Sequence, residues 1–470
     1  MSGLDTAGTA LGTPEDRRRT QRGWCWYDWA NSVFPTSVVT VFLSLYLTSI
    51  ARAAAEADTA RNGPTPCAND NTLVQCDVSI LGLVFPAGSL WGYLLSFATV
   101  IQVLVLPVAG AIADRSQNKR RMLAGFAFTG AVATCLLALV EGQNWQIGVL
   151  LFTIGNICWG TSVVVYYAFI PEISTADERD ALSSRGWAFG YLGGGVCLAL
   201  QLGLFQGHEL FGLAQSEAVR ACFILTGIWW AAFTLVPLRV LRDRPKPERA
   251  DLGGGKIGGG FRELGDTMRY ARKFPLTLAF LGSYLIFTDG ISTVANVAGQ
   301  YGSLELKLPQ STLITAILMT QFVAFIGGIA HGLVAKRIGA KKTILGSLVV
   351  WIIMLALAYL VQAGEQLQFF GIAAGIGLVL GGTNALARSL FSQMVPAGKE
   401  GQYFAVYEIG ERSTSWLGPL VYAGIGQATG SFRLAILSMM IFFIVGFILV
   451  WLVPVRRAIR AVGNSEPAVL

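Results

Sequence analysis

Apolar residues in this chain run on for about twenty at a time instead of alternating with polar ones, and short polar turns separate the runs. A run of that length, coiled at about 1.5 Å per residue, crosses roughly 30 Å of hydrocarbon. Twelve stretches qualify: 24–50, 83–112, 122–140, 146–169, 184–206, 219–238, 275–299, 311–334, 343–361, 367–390, 402–426 and 433–455. A closed membrane barrel needs segments of about ten alternating residues, which these runs are not. Helices, which satisfy their own backbone polar groups in lipid, are therefore predicted.

Composition agrees: 53% of the 470 residues are hydrophobic and 13% charged, too few charges to clothe a water-exposed surface of this size. The net charge of +7 matters through its distribution. Arg17 to Arg19, Lys119 to Arg121, Lys341, Lys342, Arg456 and Arg457 fall on the N-terminal side of the membrane, while Arg52, Arg61, Arg220, Lys307 and Arg433 fall on the other. Basic loops face the cytoplasm, so both termini are expected there. Charges scattered over short loops do not form the single basic face that nucleic acid requires, and no nucleic-acid partner is expected. Residues 1–23 read as a cytoplasmic tail before an uncleaved first helix, and 456–470 as a second tail. Five cysteines lie in spans as small apolar residues. Cys67 and Cys76 share the 51–82 loop on the outer side, where oxidising conditions permit a disulfide or leave two free thiols.

The segment 239–273 mixes Pro, Gly and charge and reads as a cytoplasmic linker between a bundle over 24–238 and a second over 274–455, with 261–273 forming an amphipathic surface helix. Its Gly253, Gly255 and Gly258 match a dinucleotide spacing by chance, since no strand precedes them. No Walker A sequence occurs. The halves echo each other: Pro171 and Pro396 each close a span ahead of a polar turn, and Asp28 and Asp289 hold similar places in the first and seventh spans.

Charged residues inside a span cost about 2.5–3.5 kcal/mol at mid-membrane on insertion scales, so each implies a partner or a watery cavity. In the seventh span Asp289, Ser292, Thr293, Asn296 and Gln300 follow helical spacing and lie on one face, either a solute- or proton-binding wall or an interhelical hydrogen-bond seam. In the eleventh, Glu408 and Arg412 have the spacing of an ion pair, leaving Glu411 as a proton carrier. Asp28, Asn31 and Ser32 align in the first span; Asp28, near the cytoplasmic end among Trp24, Trp26, Tyr27 and Trp29, reads as a cap or gate inside an interfacial belt. Asn156 and Tyr167 in the fourth span and Asn384 in the tenth are further solute contacts. Arg388 is expected to snorkel to the headgroups more readily than to meet an anionic group. His331 is placed near the cytoplasmic end of the eighth span, where it can titrate. No His and carboxylate cluster with metal spacing and no nucleophile with a base is evident, so neither enzyme nor cofactor is expected.

GAIADRSQNKRR, Gly110 to Arg121, resembles the loop signature of the major facilitator superfamily, with Asp114 and Arg115 in place of its charge latch. The second-half counterpart, GLVAKRIGAKK, carries Lys336 where an acid belongs. WYDWANSVF, IPEISTADERDALSSRGWAFGYLGGG and RSLFSQMVPAGKEGQYFAVYE resemble the bacterial "unknown major facilitator" branch, which is similar to the fungal vacuolar amino-acid effluxers linked to autophagy. The resemblance covers essentially the whole chain. It implies an all-α integral membrane protein of the major facilitator fold, twelve transmembrane helices in two six-helix bundles, and no cofactor. Tyr27, Asp28, Asn31, Ser32, Glu172, Ser184, Arg185, Trp187, Tyr191, Asp289 and Glu408 fall at family-typical positions, and Glu172 or Arg185 is read as completing the latch network.

The expected function is secondary transport of an amino acid or similar metabolite by alternating access across the cytoplasmic membrane, as efflux and with protons as a coupling partner. A monomer among membrane lipids is the working assembly. The alternatives are an exporter of drugs or lysolipids and a membrane sensor or scaffold without flux, and fold analogy alone does not choose among them.

Overall fold

The computed structural model describes residues 13–67, 75–87, 90–115, 118–175, 177–243, 272–429 and 431–469. The apolar runs become helices: α1 (Pro14–Asn31), α2 (Leu43–Ala57), α3 (Leu90–Arg115), α4 (Lys119–Leu136), α5 (Trp145–Tyr167), α6 (Arg179–Gln206), α7 (Gln215–Val240), α8 (Pro275–Gln300), α9 (Gln310–Ile338), α10 (Ala340–Leu360), α11 (Gln366–Gln393), α12 (Glu400–Thr414), α13 (Leu417–Thr429), α14 (Phe432–Ser438), α15 (Met440–Leu452) and α16 (Val455–Ala461). Among the described residues ten helices are long and apolar enough to cross a bilayer, and the bent pair α1–α2 makes an eleventh. Side chains such as Leu150, Ile228, Ile353 and Ile448 point outward and exposed from these helices. In water so much exposed apolar surface would drive aggregation; against lipid chains it is the expected outside.

The expected spans differ from the observed helices in several places. The first starts earlier: Pro14 opens α1 and Thr13 caps it by accepting the Asp16 N–H, so part of the presumed tail is helical. Pro35 withholds an N–H, and the chain passes through a π-helical stretch, Phe34–Phe42, before α2, with a bend of 43°. The second span begins at Leu90 and not at 83, because Asp77–Ile80 and Leu83–Pro86 form an antiparallel hairpin, β1 and β2. Leu81 (φ 52°) and Gly82 (φ 84°) supply the two positive φ angles that a tight hairpin turn needs. In the same loop Cys67 and Cys76 are joined by a disulfide, their Cα atoms 4.6 Å apart.

The expected eleventh span is broken into α12 and α13, of 15 and 13 residues, neither long enough to cross alone. A backbone break at membrane depth survives only inside protein or beside a watery cavity. The expected linker helix, 261–273, lies almost wholly outside the described residues. The two halves meet along α6, which packs against α9 and α11, and along α3, which packs against α12.

Candidate functional site

Helix α1 packs against both α6 and α7, so its aromatic and acidic face is turned inward. Trp24 and Tyr27 are fully buried, and Trp24 stacks on Tyr166 of α5 with ring centroids 4.2 Å apart. That corrects the interfacial-belt reading for both residues: the face that looked like a belt is covered by neighbouring helices. Asp28, one turn on from Trp24, accepts a 2.8 Å hydrogen bond from the Tyr166 hydroxyl and lies 3.7 Å from the Arg388 guanidinium. Arg388 is 1% exposed, so it does not snorkel. Its Nε donates to Ser183 Oγ at 2.8 Å and its Nη2 to the Ser183 carbonyl at 2.9 Å. The guanidinium also lies 4.6 Å from the Tyr167 ring centre, 5.3 Å from Trp24 and 5.6 Å from Trp187. A cation held by a carboxylate, two hydrogen bonds and three ring faces has no need of water. The helices approach this closely because Gly186 has no side chain: a Cβ there would sit 2.5 Å from Asp28 Oδ2.

Above this knot lies a cavity of about 960 Å³. Asp28 and Asn31 of α1 and Ser32, its C-cap, line it with Trp159 and Tyr167 of α5, Ser292 of α8, and Glu408, Glu411 and Arg412 of α12. Leu95, Val100, Val103 and Leu104 of α3 give it an apolar wall. Arg412 donates to Glu408 at 3.2 Å and its guanidinium lies 5.0 Å from the Trp159 ring centre. Its Nε is buried without a hydrogen-bond partner. Glu411 instead accepts a 2.6 Å hydrogen bond from Tyr284, whose ring stacks on Tyr407 at 4.2 Å. Glu408 is thus paired with Arg412, while Glu411 is held by a tyrosine hydroxyl.

The seventh-span stripe does not act as one wall. Among its described side chains only Ser292 lines the cavity. Asp289 turns to the broken helix and accepts the Gly418 N–H at 2.7 Å, while its Oδ1 and the neighbouring Thr293 hydroxyl are buried without partners. Asn296 is exposed, and the Gln300 side chain lies outside the described residues. Asn156 and Asn384 are buried but line no part of the cavity: the Asn156 carbonyl accepts from Gln102 at 2.5 Å, and Asn384 Oδ1 accepts from Thr288 at 3.3 Å. His331 is enclosed, bonded to the Gly327 carbonyl and the Ser347 hydroxyl, each at 2.7 Å. Asp114 and Arg115 end α3, with their side chains outside the described residues. Glu172 pairs with Lys119 at 2.7 Å, whereas Arg185 is exposed on α6 and lines a separate cavity.

Toward the end that carries both termini, the halves are stitched by residues that sequence reading did not single out. Arg179 donates to the Ser392 carbonyl at 2.9 Å, Ser389 to Asp180 at 2.6 Å, and Ser183 to the Ala385 carbonyl at 2.6 Å. The available signal was a polar run, TADERDALSSRG, entering an apolar helix; such a start needs partners that a surface turn does not.

Comparison with known proteins fits this architecture. The family described as "Vacuole effluxer Atg22 like" matches residues 16–463. The uncharacterized MFS-type transporter YxiO of Bacillus subtilis is 27% identical over 438 residues, covering 93% of this chain and 95% of that protein. Autophagy-related protein 22-2 of Emericella nidulans is 26% identical over 563 residues, covering 96% and 93%. Among solved structures, the proton:xylose symporter XylE superposes with a TM-score of 0.65 at 14% identity over 93% of this chain and 95% of that one. The human organic anion transporter MFSD10 superposes at 0.64 with 15% identity over 93% and 100%. The chain belongs to the Atg22-like vacuole effluxer family and is a membrane-spanning transporter of the major facilitator type.

Proposed function

We propose that the protein carries an amino acid or a similar zwitterionic metabolite out of the cytoplasm by alternating access, with proton coupling. The supporting observation is the make-up of the 960 Å³ cavity, where Arg412, Glu408 and Glu411 face an apolar wall on α3. A guanidinium suits a carboxylate group, an acidic residue beside aromatic rings suits an ammonium group, and the α3 wall suits an apolar side chain. With Glu408 paired to Arg412 and Glu411 held by Tyr284, a proton taken up by Glu411 would leave the cluster neutral. A neutral cluster crosses between two states with less desolvation penalty than a charged one, which gives a proton a place in the cycle. The surplus of Lys and Arg at the end carrying the termini supports placing that end in the cytoplasm of the cell membrane.

The test is flux into proteoliposomes of purified protein, with a labelled amino-acid panel in counterflow, with and without an imposed pH gradient. Counterflow is expected in the wild type. Glu411→Gln should keep counterflow while losing gradient-driven accumulation, and Arg412→Gln should weaken both. Absence of counterflow for every amino acid would discard the substrate class; accumulation by Glu411→Gln equal to wild type would discard its proton role.

A further inference from the structure

A second cavity, of about 390 Å³, opens at the end that carries the termini, away from the solute path. Arg18 and Arg22 of α1, Arg185 of α6 and Lys336 of α9 line it, with Gln21, Asp177, Glu178 and Ala181. The two carboxylates are already committed. Glu178 accepts from Arg17 at 3.1 Å, from Gln21 at 3.0 Å and from the Thr175 N–H at 3.1 Å. Asp177 accepts the N–H of Ala468 at 2.6 Å. None of the four lining cations makes an ion pair among the described residues.

The packing of the two halves creates this surplus. Gly332 of α9 lies against α6 so closely that a Cβ there would be 2.9 Å from Ser184 Cβ and 3.6 Å from Ala181 Cα. Lys336, one turn beyond Gly332, is thereby brought beside Arg185, which follows Ser184. Three cations come from the first half and one from the second. The four cations outnumber the two carboxylates of the lining, one of which already pairs with Arg17, and a multivalent anion offsets the remaining repulsion. Basic pockets between membrane helices at headgroup level suit phosphate groups, which accept from several guanidinium donors at once.

We propose that this cavity is a binding site for a phosphate-bearing anion, held by Arg18, Arg22, Arg185 and Lys336 and bridging the two halves. The site stands apart from the solute cavity and does not depend on which solute is carried. A phospholipid headgroup and a free phosphate share the required chemistry, and the experiment separates them. Detergent-purified full-length protein is titrated with phosphatidylglycerol or phosphatidylcholine in mixed micelles, and separately with inorganic phosphate against chloride at matched ionic strength, reading the melting temperature.

Saturable stabilisation by phosphatidylglycerol alone assigns a lipid headgroup; saturable stabilisation by inorganic phosphate as well assigns a free phosphate. Arg185→Gln with Lys336→Gln should raise the half-saturating concentration by more than tenfold, at about fivefold per cation removed. Lys342→Gln, an exposed cation at the same end that does not line the cavity, should leave it unchanged. Should the double variant fold poorly, Arg18→Gln alone should still shift it about fivefold. No saturable stabilisation of the wild type by either anion, or superimposable titrations of the wild type and the charge-removed variants, would overturn the site.

Discussion

Arg388 and Asp28 form a buried pair at 3.7 Å, and the order of removal decides what each loss costs. Arg388→Gln leaves Asp28 with only the Tyr166 hydroxyl, a lone carboxylate out of water, and is expected to destabilise by about 3–5 kcal/mol. Adding Asp28→Asn should restore part of that loss, which thermal melting of the single and double variants measures; an equally unstable double variant would mean that the aromatic and Ser183 contacts carry the effect. Glu178 shows a different balance. Partial burial raises its pKa, but hydrogen bonds from the Thr175 N–H, Arg17 and Gln21 outweigh it and hold the carboxyl below its ordinary 4.5. A lowered carboxyl contributes stability above its ordinary value and loses it as pH falls through its folded one. Wild type should therefore lose a stabilising increment below pH 4.5 that Glu178→Gln never has, seen as melting curves that converge in acid. Spacing in the sequence was enough to read the Glu408–Arg412 pair, because four residues on a helix are neighbours wherever the helix sits. It was not enough for Arg388, whose burial depends on which helix covers it, a property of tertiary packing alone.

At the level of elements, the break between α12 and α13 carries the most information. Asp289 of α8 accepts the Gly418 N–H, serving as an N-terminal cap supplied from another helix. A Cβ at Gly418 would meet Thr293 Oγ1 at 2.0 Å, so only glycine allows α13 to start against α8. Asp289→Ala should cost about 1–2 kcal/mol through the lost cap, whereas Asp289→Asn keeps an acceptor oxygen and should melt near wild type. Measuring counterflow in the same two variants separates capping from proton handling: an Asn variant that melts normally but transports poorly would give Asp289 a part in the cycle. The seventh-span stripe was legible as a polar face; that Asp289 turns to a broken helix while Ser292 reaches the cavity was hidden, because 402–426 reads as one apolar run. The β1–β2 hairpin was hidden for a related reason. Leu83 to Phe85 look like the start of a span until Gly82 and the neighbouring positive-φ Leu81 are seen to turn the chain.

For the whole molecule, apolar runs and basic loops determine the architecture, since bilayer solvation leaves helices few other options. What they leave open is where the halves touch. Asp180 and Ser389 are 2.6 Å apart in a contact that crosses from α6 to α11, and both are buried. Alternating access by rocking requires this contact to part once per cycle. With Asp180→Cys and Ser389→Cys introduced together, oxidation should link the two helices and abolish counterflow, and reductant should restore it. Wild-type protein carried through the same oxidation and reduction controls for the Cys67–Cys76 disulfide, which also responds to reductant. Full counterflow through protein shown to be cross-linked would mean that this end of the molecule stays shut during transport, and the solute would have to reach the cavity without separation of α6 from α11.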